Sequence, residues 1–264
     1  MARLPHPERA GLPGIPIRKR YPPRPAIATR STRLGQSGEV MRRYVTEFIG
    51  TFFLVFAVGC TVLGKVPLAP LAIGGTLMVM IYAGGHISGG HYNPAVTLAV
   101  LVRGKISRSD AVGYWAAQVA GGLLGALIAR YLVNPAKVTA LSPSGRGVVV
   151  ALLAEAIFTF ALAYVVLNVA TSRDHPGNDF YGLAIGFTVV AGAFAVGGLS
   201  GGALNPAVAM GAATMGLFAW AKIWIWLLAE LVAGALAGLV FLRLNPDERD
   251  SAAAVVRREP VRAQ

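Results

Sequence analysis

The sequence predicts an all-α membrane protein in which six spanning helices and two re-entrant half-helices are arranged as an inverted repeat. Three observations lead there. Hydrophobic residues make up 55% of the 264 and charged residues 14%, against roughly 25% charge in soluble domains. Shifted by 112 residues, 71–96 (LAIGGTLMVMIYAGGHISGGHYNPAV) overlays 183–208 (LAIGFTVVAGAFAVGGLSGGALNPAV) without a gap, with 14 of 26 positions identical. Each copy also breaks its apolar run with Gly-Gly and Asn-Pro.

Residues 1–41 form a Pro-rich basic tail. Eight Lys or Arg face only Glu8 and Glu39 there. Such a segment cannot bury a core and is expected to be disordered, and its charge favours an anionic cytoplasmic membrane surface. It has no apolar h-region, which excludes a cleavable signal peptide. Half of the net charge of +12 lies in this tail, which is read as a cytoplasmic topology determinant and not as a nucleic-acid arm.

Six apolar windows follow, at about 45–63, 68–85, 110–133, 148–170, 180–197 and 220–242, each near the ~20 residues a spanning helix needs. The 112-residue shift pairs Gln118 with Glu230 and Gly122 with Gly234, and a 108-residue shift pairs EFIGTF (47–52) with EAIFTF (155–160). The channel domain is thus 42–244, with repeats at about 42–133 and 148–243. A cytoplasmic tail, 245–264, follows. Three spans per repeat is an odd number, so the second copy enters from the opposite face, the architecture that places transport sites at the midplane between halves. With the first tail inside, Arg103, Lys105, Arg108 and the arginines from Arg243 onward also fall inside, while the outer segments carry only Lys65, Lys137, Arg146 and Lys222, as the positive-inside rule requires. The single cysteine, Cys60, excludes an intramolecular disulfide.

After each Gly-Gly, Asn-Pro-Ala opens about ten residues of helical composition, too few to cross a bilayer. Asn is a favoured N-cap and Pro suits the first helical turn. Asn93-Pro94-Ala95 and Asn205-Pro206-Ala207 are therefore read as two half-helix starts that the inverted symmetry brings together at mid-membrane. Two helix N-termini repel cations. The two Asn amides donate to a passing oxygen, so its protons point away and relay poorly. A third Asn-Pro-Ala, 134–136, lacks the preceding Ser-Gly-Gly and is read as a loop.

These paired motifs, the three-plus-three repeat and GHISGGHYNPAV resemble the aquaporin, or major intrinsic protein, family over about residues 42–243. The resemblance implies an aquaporin-like fold and a passive channel for water and small uncharged solutes that excludes protons and ions. The alternative is a facilitator for glycerol, metalloid acids or similar neutral cargo with little water transport. It implies a homotetramer with one pore per protomer in the cell membrane, both termini cytoplasmic, with no cofactor, metal, enzymatic activity or nucleic-acid partner. It also implies a second constriction toward the outer face at Ile73, Ala193, Gly202 and Val208. Water-selective members usually place an aromatic residue, a histidine, a small residue and an arginine there. Only the small residue is kept. Val208 removes five fixed donors and a permanent charge, which predicts a wider, more apolar ring.

Glu47 and Glu155 hold equivalent positions in spans one and four. They are read as acceptors that brace the loops' backbone N–H groups, with His86, Ser88 and Ser200 as further braces. Glu230 accepts from a loop or stays protonated, or faces the lumen and confers pH sensitivity. His86 and His91 lack a cysteine or carboxylate neighbour, which makes a metal site a weak reading. A Ser88–His91 hydrolase pair has no counterpart at Ser200, where Ala203 replaces the histidine. Gly121, Gly122, Gly125, Gly234 and Gly238 are read as helix-packing positions, and Trp220, Trp224 and Trp226 as an interfacial aromatic anchor.

Overall fold

The computed structural model describes residues 32–248, and the predicted tails lie largely outside this range. Eight α-helices are found: α1 (Thr32–Leu63), α2 (Ala69–Ser88), α3 (Pro94–Val102), α4 (Arg108–Val133), α5 (Arg146–Thr171), α6 (Tyr181–Ser200), α7 (Pro206–Thr214) and α8 (Trp224–Leu244). Six of the helices, all but α3 and α7, are long and apolar enough to cross a membrane, in agreement with the six predicted spans. The first boundary differs: α1 begins at Thr32, well inside the tail expected to end at residue 41. Residues 32–41 hold no proline, so nothing in their backbone stops a helix from growing outward from the spanning segment.

Packing reproduces the repeat. α1 lies along α4 and α5 along α8, while α2 and α6 meet across the junction of the halves. Each half-helix docks on the third span of the other half, α3 on α8 and α7 on α4. These approaches are backbone to backbone. A Cβ at Gly125 would come within 2.5 Å of the Phe52 carbonyl oxygen, and one at Gly234 would overlap the Ala95 carbonyl. Small residues at such crossings let helices in lipid gain contact and hydrogen bonding where water exclusion supplies no drive.

α2 and α6 end alike. Gly89 (φ 89°) and Gly201 (φ 92°) take the left-handed conformation and return their N–H groups to Gly85 and Gly197, the usual glycine C-cap. Asn134, by contrast, closes α4 in the left-handed conformation at φ 45°. The third Asn-Pro-Ala therefore sits at a helix C-terminus, the wrong end to act as the other two do.

One aromatic assignment needs correction. Trp220 and Trp224 are about half exposed, but Trp226 is fully buried. It stacks on Phe218 at 4.2 Å between ring centroids and is a core residue, not an interfacial anchor. Its indole N–H has a buried partner, which satisfies the one polar atom it brings inside.

Candidate functional site

The loops between α2 and α3 and between α6 and α7 meet at the centre of the molecule. Asn93 and Asn205 adopt extended backbone (φ −156° and −165°), and Pro94 and Pro206 begin the helices. Asn93 Oδ1 accepts the Ala95 N–H at 2.8 Å and Asn205 Oδ1 the Ala207 N–H at 2.9 Å. Each carbonyl oxygen is thereby used as a cap.

The amide nitrogens cross between the halves. Asn93 Nδ2 donates to the Leu204 carbonyl and Asn205 Nδ2 to the Tyr92 carbonyl, both at 2.9 Å. Tyr92 (φ 48°) and Leu204 (φ 53°) are non-glycine residues in the left-handed region, which is uncommon and is held only where the surroundings dictate it. Their conformation presents each carbonyl to the opposite asparagine. Of the two hydrogens on each amide nitrogen, one is committed to this lock and the other has no protein partner among the described residues. Both asparagines are nearly buried yet line a cavity of about 400 Å³. Ile73, Ala193, Gly202 and Val208 line the same cavity, with aliphatic neighbours that include Leu54, Leu77, Val96, Leu162 and Val189.

The loops' inward N–H groups find carboxylates, which is how irregular backbone at this depth is satisfied by protein. Glu47 accepts from His91 N (3.0 Å), Tyr92 N (2.7 Å), the Ser88 hydroxyl (2.6 Å) and Gln118 Nε2 (2.8 Å). Glu155 accepts from Ala203 N (3.1 Å) and Leu204 N (2.8 Å). Ser88 and Ser200 also take the N–H groups of Gly90 and Gly202. His86 departs from this set. It is exposed on the last turn of α2, beside a separate cavity shared with His175 and Tyr181, and no hydrogen bond ties it to either pore loop among the described residues. A helical turn that faces outward at 86 carries its ring away from the loops. His91 is bound through Nδ1 to Thr97 Oγ1 at 3.1 Å, and Ser88 donates to Glu47, so serine and histidine are not paired as nucleophile and base.

Several supports escaped the residue-by-residue reading. Tyr114 OH donates to the Ser88 carbonyl at 2.6 Å and Trp226 Nε1 to the Ser200 carbonyl at 2.9 Å. They are 112 residues apart, so the repeat offset already linked them although their side chains differ. Arg103, at the end of α3, is fully buried against the Phe241 ring and bonds Glu248 at 2.5 Å. Glu248 also accepts the Arg173 N–H at 2.7 Å. Burial pushes the Glu248 carboxyl pKa up, but that N–H and the Arg103 guanidinium outweigh it and hold it below the ordinary carboxylate value. No signal in the sequence links residues 103 and 248.

The family model for the major intrinsic protein matches residues 35–241. The chain belongs to the major intrinsic protein family. Among its relatives in that family, a glycerol uptake facilitator protein-like 6 of Lactiplantibacillus plantarum is 40% identical over 208 residues, covering 75% of this chain and 95% of that one. A probable aquaporin TIP2-2 of Oryza sativa subsp. japonica is 37% identical over 222 residues, covering 78% and 88%. The aquaglyceroporin of Plasmodium falciparum shares the major intrinsic protein fold, with a TM-score of 0.63 at 22% identity over 82% of this chain and 98% of its own.

Proposed function

We propose that this protein is a passive, bidirectional membrane channel for water and small uncharged solutes that turns back protons and cations. The observation that carries the reading is the waist. Two helix N-termini face each other there, each with one spare amide N–H, beside a lumen lined by Asn93, Asn205 and aliphatic side chains. Positive helix ends oppose a cation, and two donors occupy a passing oxygen's lone pairs. The aquaporin and glycerol-facilitator names of its relatives support a neutral cargo.

The composition of the outer ring favours cargo larger than water. Ile73, Ala193, Gly202 and Val208 bring no charge and no side-chain donor to the lumen, so a solute is sorted there by size more than by hydrogen bonding. In the cell membrane both termini lie in the cytoplasm. Four protomers assemble, each with its own pore.

Stopped-flow permeability in proteoliposomes tests this with water, glycerol, urea and hydrogen peroxide on wild type and Val208→Arg. Wild type passes the larger solutes, and the arginine cuts glycerol flux by about tenfold or more, the effect of about 1.4 kcal/mol of added barrier. A wild type that passes water alone overturns the assignment of the outer ring.

A further inference from the structure

The second pore loop is braced differently from the first, and the difference lies in a hydrogen. In the first half, Gln118 uses a neutral amide to donate to Glu47 at 2.8 Å. The position equivalent to Gln118 in the second half is Glu230, fully buried on α8. Glu230 Oε1 accepts the Asn205 N–H at 3.0 Å. The backbone N–H groups of residues 203, 204 and 205 thus end on two neighbouring carboxyl groups, those of Glu155 and Glu230. Glu230 Oε2 is buried and receives no N–H or O–H from the protein, and the two carboxyl groups sit side by side, because they accept from the consecutive N–H groups of Leu204 and Asn205.

Among the described residues no cation balances this pair. α3 and α7, both packed on α8, carry no ionisable side chain. On α5 the group facing Glu230 is Glu155, with Arg146 and Tyr164 nine residues away on either side. The charges near the ends of α8 are Lys222, Arg243, Asp247 and Glu248, and the nearest of these in sequence is about 12 Å away along the helix. Two neighbouring buried carboxyl groups without a counter-charge cannot both ionise.

We propose that Glu230 is a neutral carboxylic acid whose Oε2–H donates to Glu155, and that this shared proton positions Asn205 in the second loop as the Gln118 amide secures the first. Glu230 is a positioning residue: it acts on the lumen through the backbone of Asn205. A protonated carboxyl has one donor and one free acceptor oxygen, so it can give a hydrogen to the neighbouring carboxyl as the Gln118 amide does, while its other oxygen keeps the Asn205 N–H. In the first brace the Gln118 amide has no proton to lose at alkaline pH. The second fails when the proton is removed, because the two anions separate and carry the Asn205 N–H with them.

The flux part of the test rests on the channel reading, and the spectroscopic part does not. Infrared spectra of the full-length protein in lipid at neutral pH are compared for wild type and Glu230→Gln. The wild type shows a C=O stretch of a protonated carboxylic acid that Glu230→Gln lacks. In proteoliposomes, urea flux through wild type falls at alkaline pH as that band disappears. Glu230→Gln keeps neutral-pH flux within about twofold and loses the alkaline fall. Glu230→Leu, which leaves the buried Asn205 N–H unpaired, loses about tenfold at every pH. A band that persists in Glu230→Gln, or identical alkaline profiles for wild type and Glu230→Gln, overturns the proposal. If no variant passes any solute, the channel reading fails, and the infrared comparison alone decides the shared proton.

Discussion

Replacing Asn205 by Asp tests the charge barrier at the waist directly. Each half-helix N-terminus carries about half an elementary positive charge, about one charge for the two. At about 6 Å from the lumen and an effective dielectric of about 20, that opposes a monovalent cation by about 3 kcal/mol, or about a hundredfold in rate. An aspartate at 205 adds one negative charge at the same place and cancels the barrier. It also removes Asn205 Nδ2, so the bond to the Tyr92 carbonyl at 2.9 Å becomes a carboxylate oxygen facing a carbonyl oxygen. Cation and proton leak, followed with an entrapped pH dye and an imposed potassium gradient at pH 8, should rise by about a hundredfold. Asn205→Ala loses the same donor without adding charge and separates the two effects: its leak should rise far less. If Asn205→Asp is folded, passes urea and leaks no more than Asn205→Ala, the helix ends are not the barrier.

Two further outcomes follow from the braces. Glu155→Ala strands the Ala203 and Leu204 N–H groups, and since hydrogen bonds to a charged group contribute about 1.5–3 kcal/mol each, the variant should lose about 3–6 kcal/mol and Glu155→Gln about half of that in unfolding from detergent. Equal stability of both variants with wild type would refute the bracing role. Glu248 has a depressed folded-state pKa, so its contribution is present at neutral pH, above the unfolded value, and is lost as pH falls through the folded value. Thermal unfolding should show an acid-side loss of stability that is flattened in Glu248→Gln, and an unchanged acid limb would refute the link to Arg103.

The architecture was legible because it rests on composition and repetition. Span length is set by bilayer thickness, and a 112-residue offset survives divergence of individual side chains. Asn93 and Asn205 could be read as caps because capping is local, fixed within three residues of chain. The cross-lock between them was not legible. It depends on Tyr92 and Leu204 entering the left-handed region, and neither residue type announces that conformation. His86 and Trp226 were misplaced for a related reason. Distance along the chain to a motif or to a span end does not fix which way either side chain faces; the helical phase at that position does. The tie from Arg103 to Glu248 spans 145 positions and has no periodic or repeated signal to reveal it.

The repeat also explains why the lumen is asymmetric although its backbone is not. His91 and Thr97, bonded to each other at 3.1 Å, correspond through the 112-residue shift to Ala203 and Ala209. Val96 and Val208 correspond to each other and both line the cavity. The first loop therefore brings a held imidazole to the cavity where the second loop brings the methyl group of Ala203. A solute crossing from the His91 side keeps a polar partner up to the two asparagine donors and then meets aliphatic walls. An aliphatic wall replaces none of the water that a polar solute sheds, so shedding water costs free energy there. The less water a solute must shed on that side, the lower its barrier, and under the proposed function Ile73, Ala193, Gly202 and Val208 set that demand. Valine at both 96 and 208 leaves those two positions of the wall without a donor or a charge, so the polar side chains among the lining residues are His91 and the two asparagines.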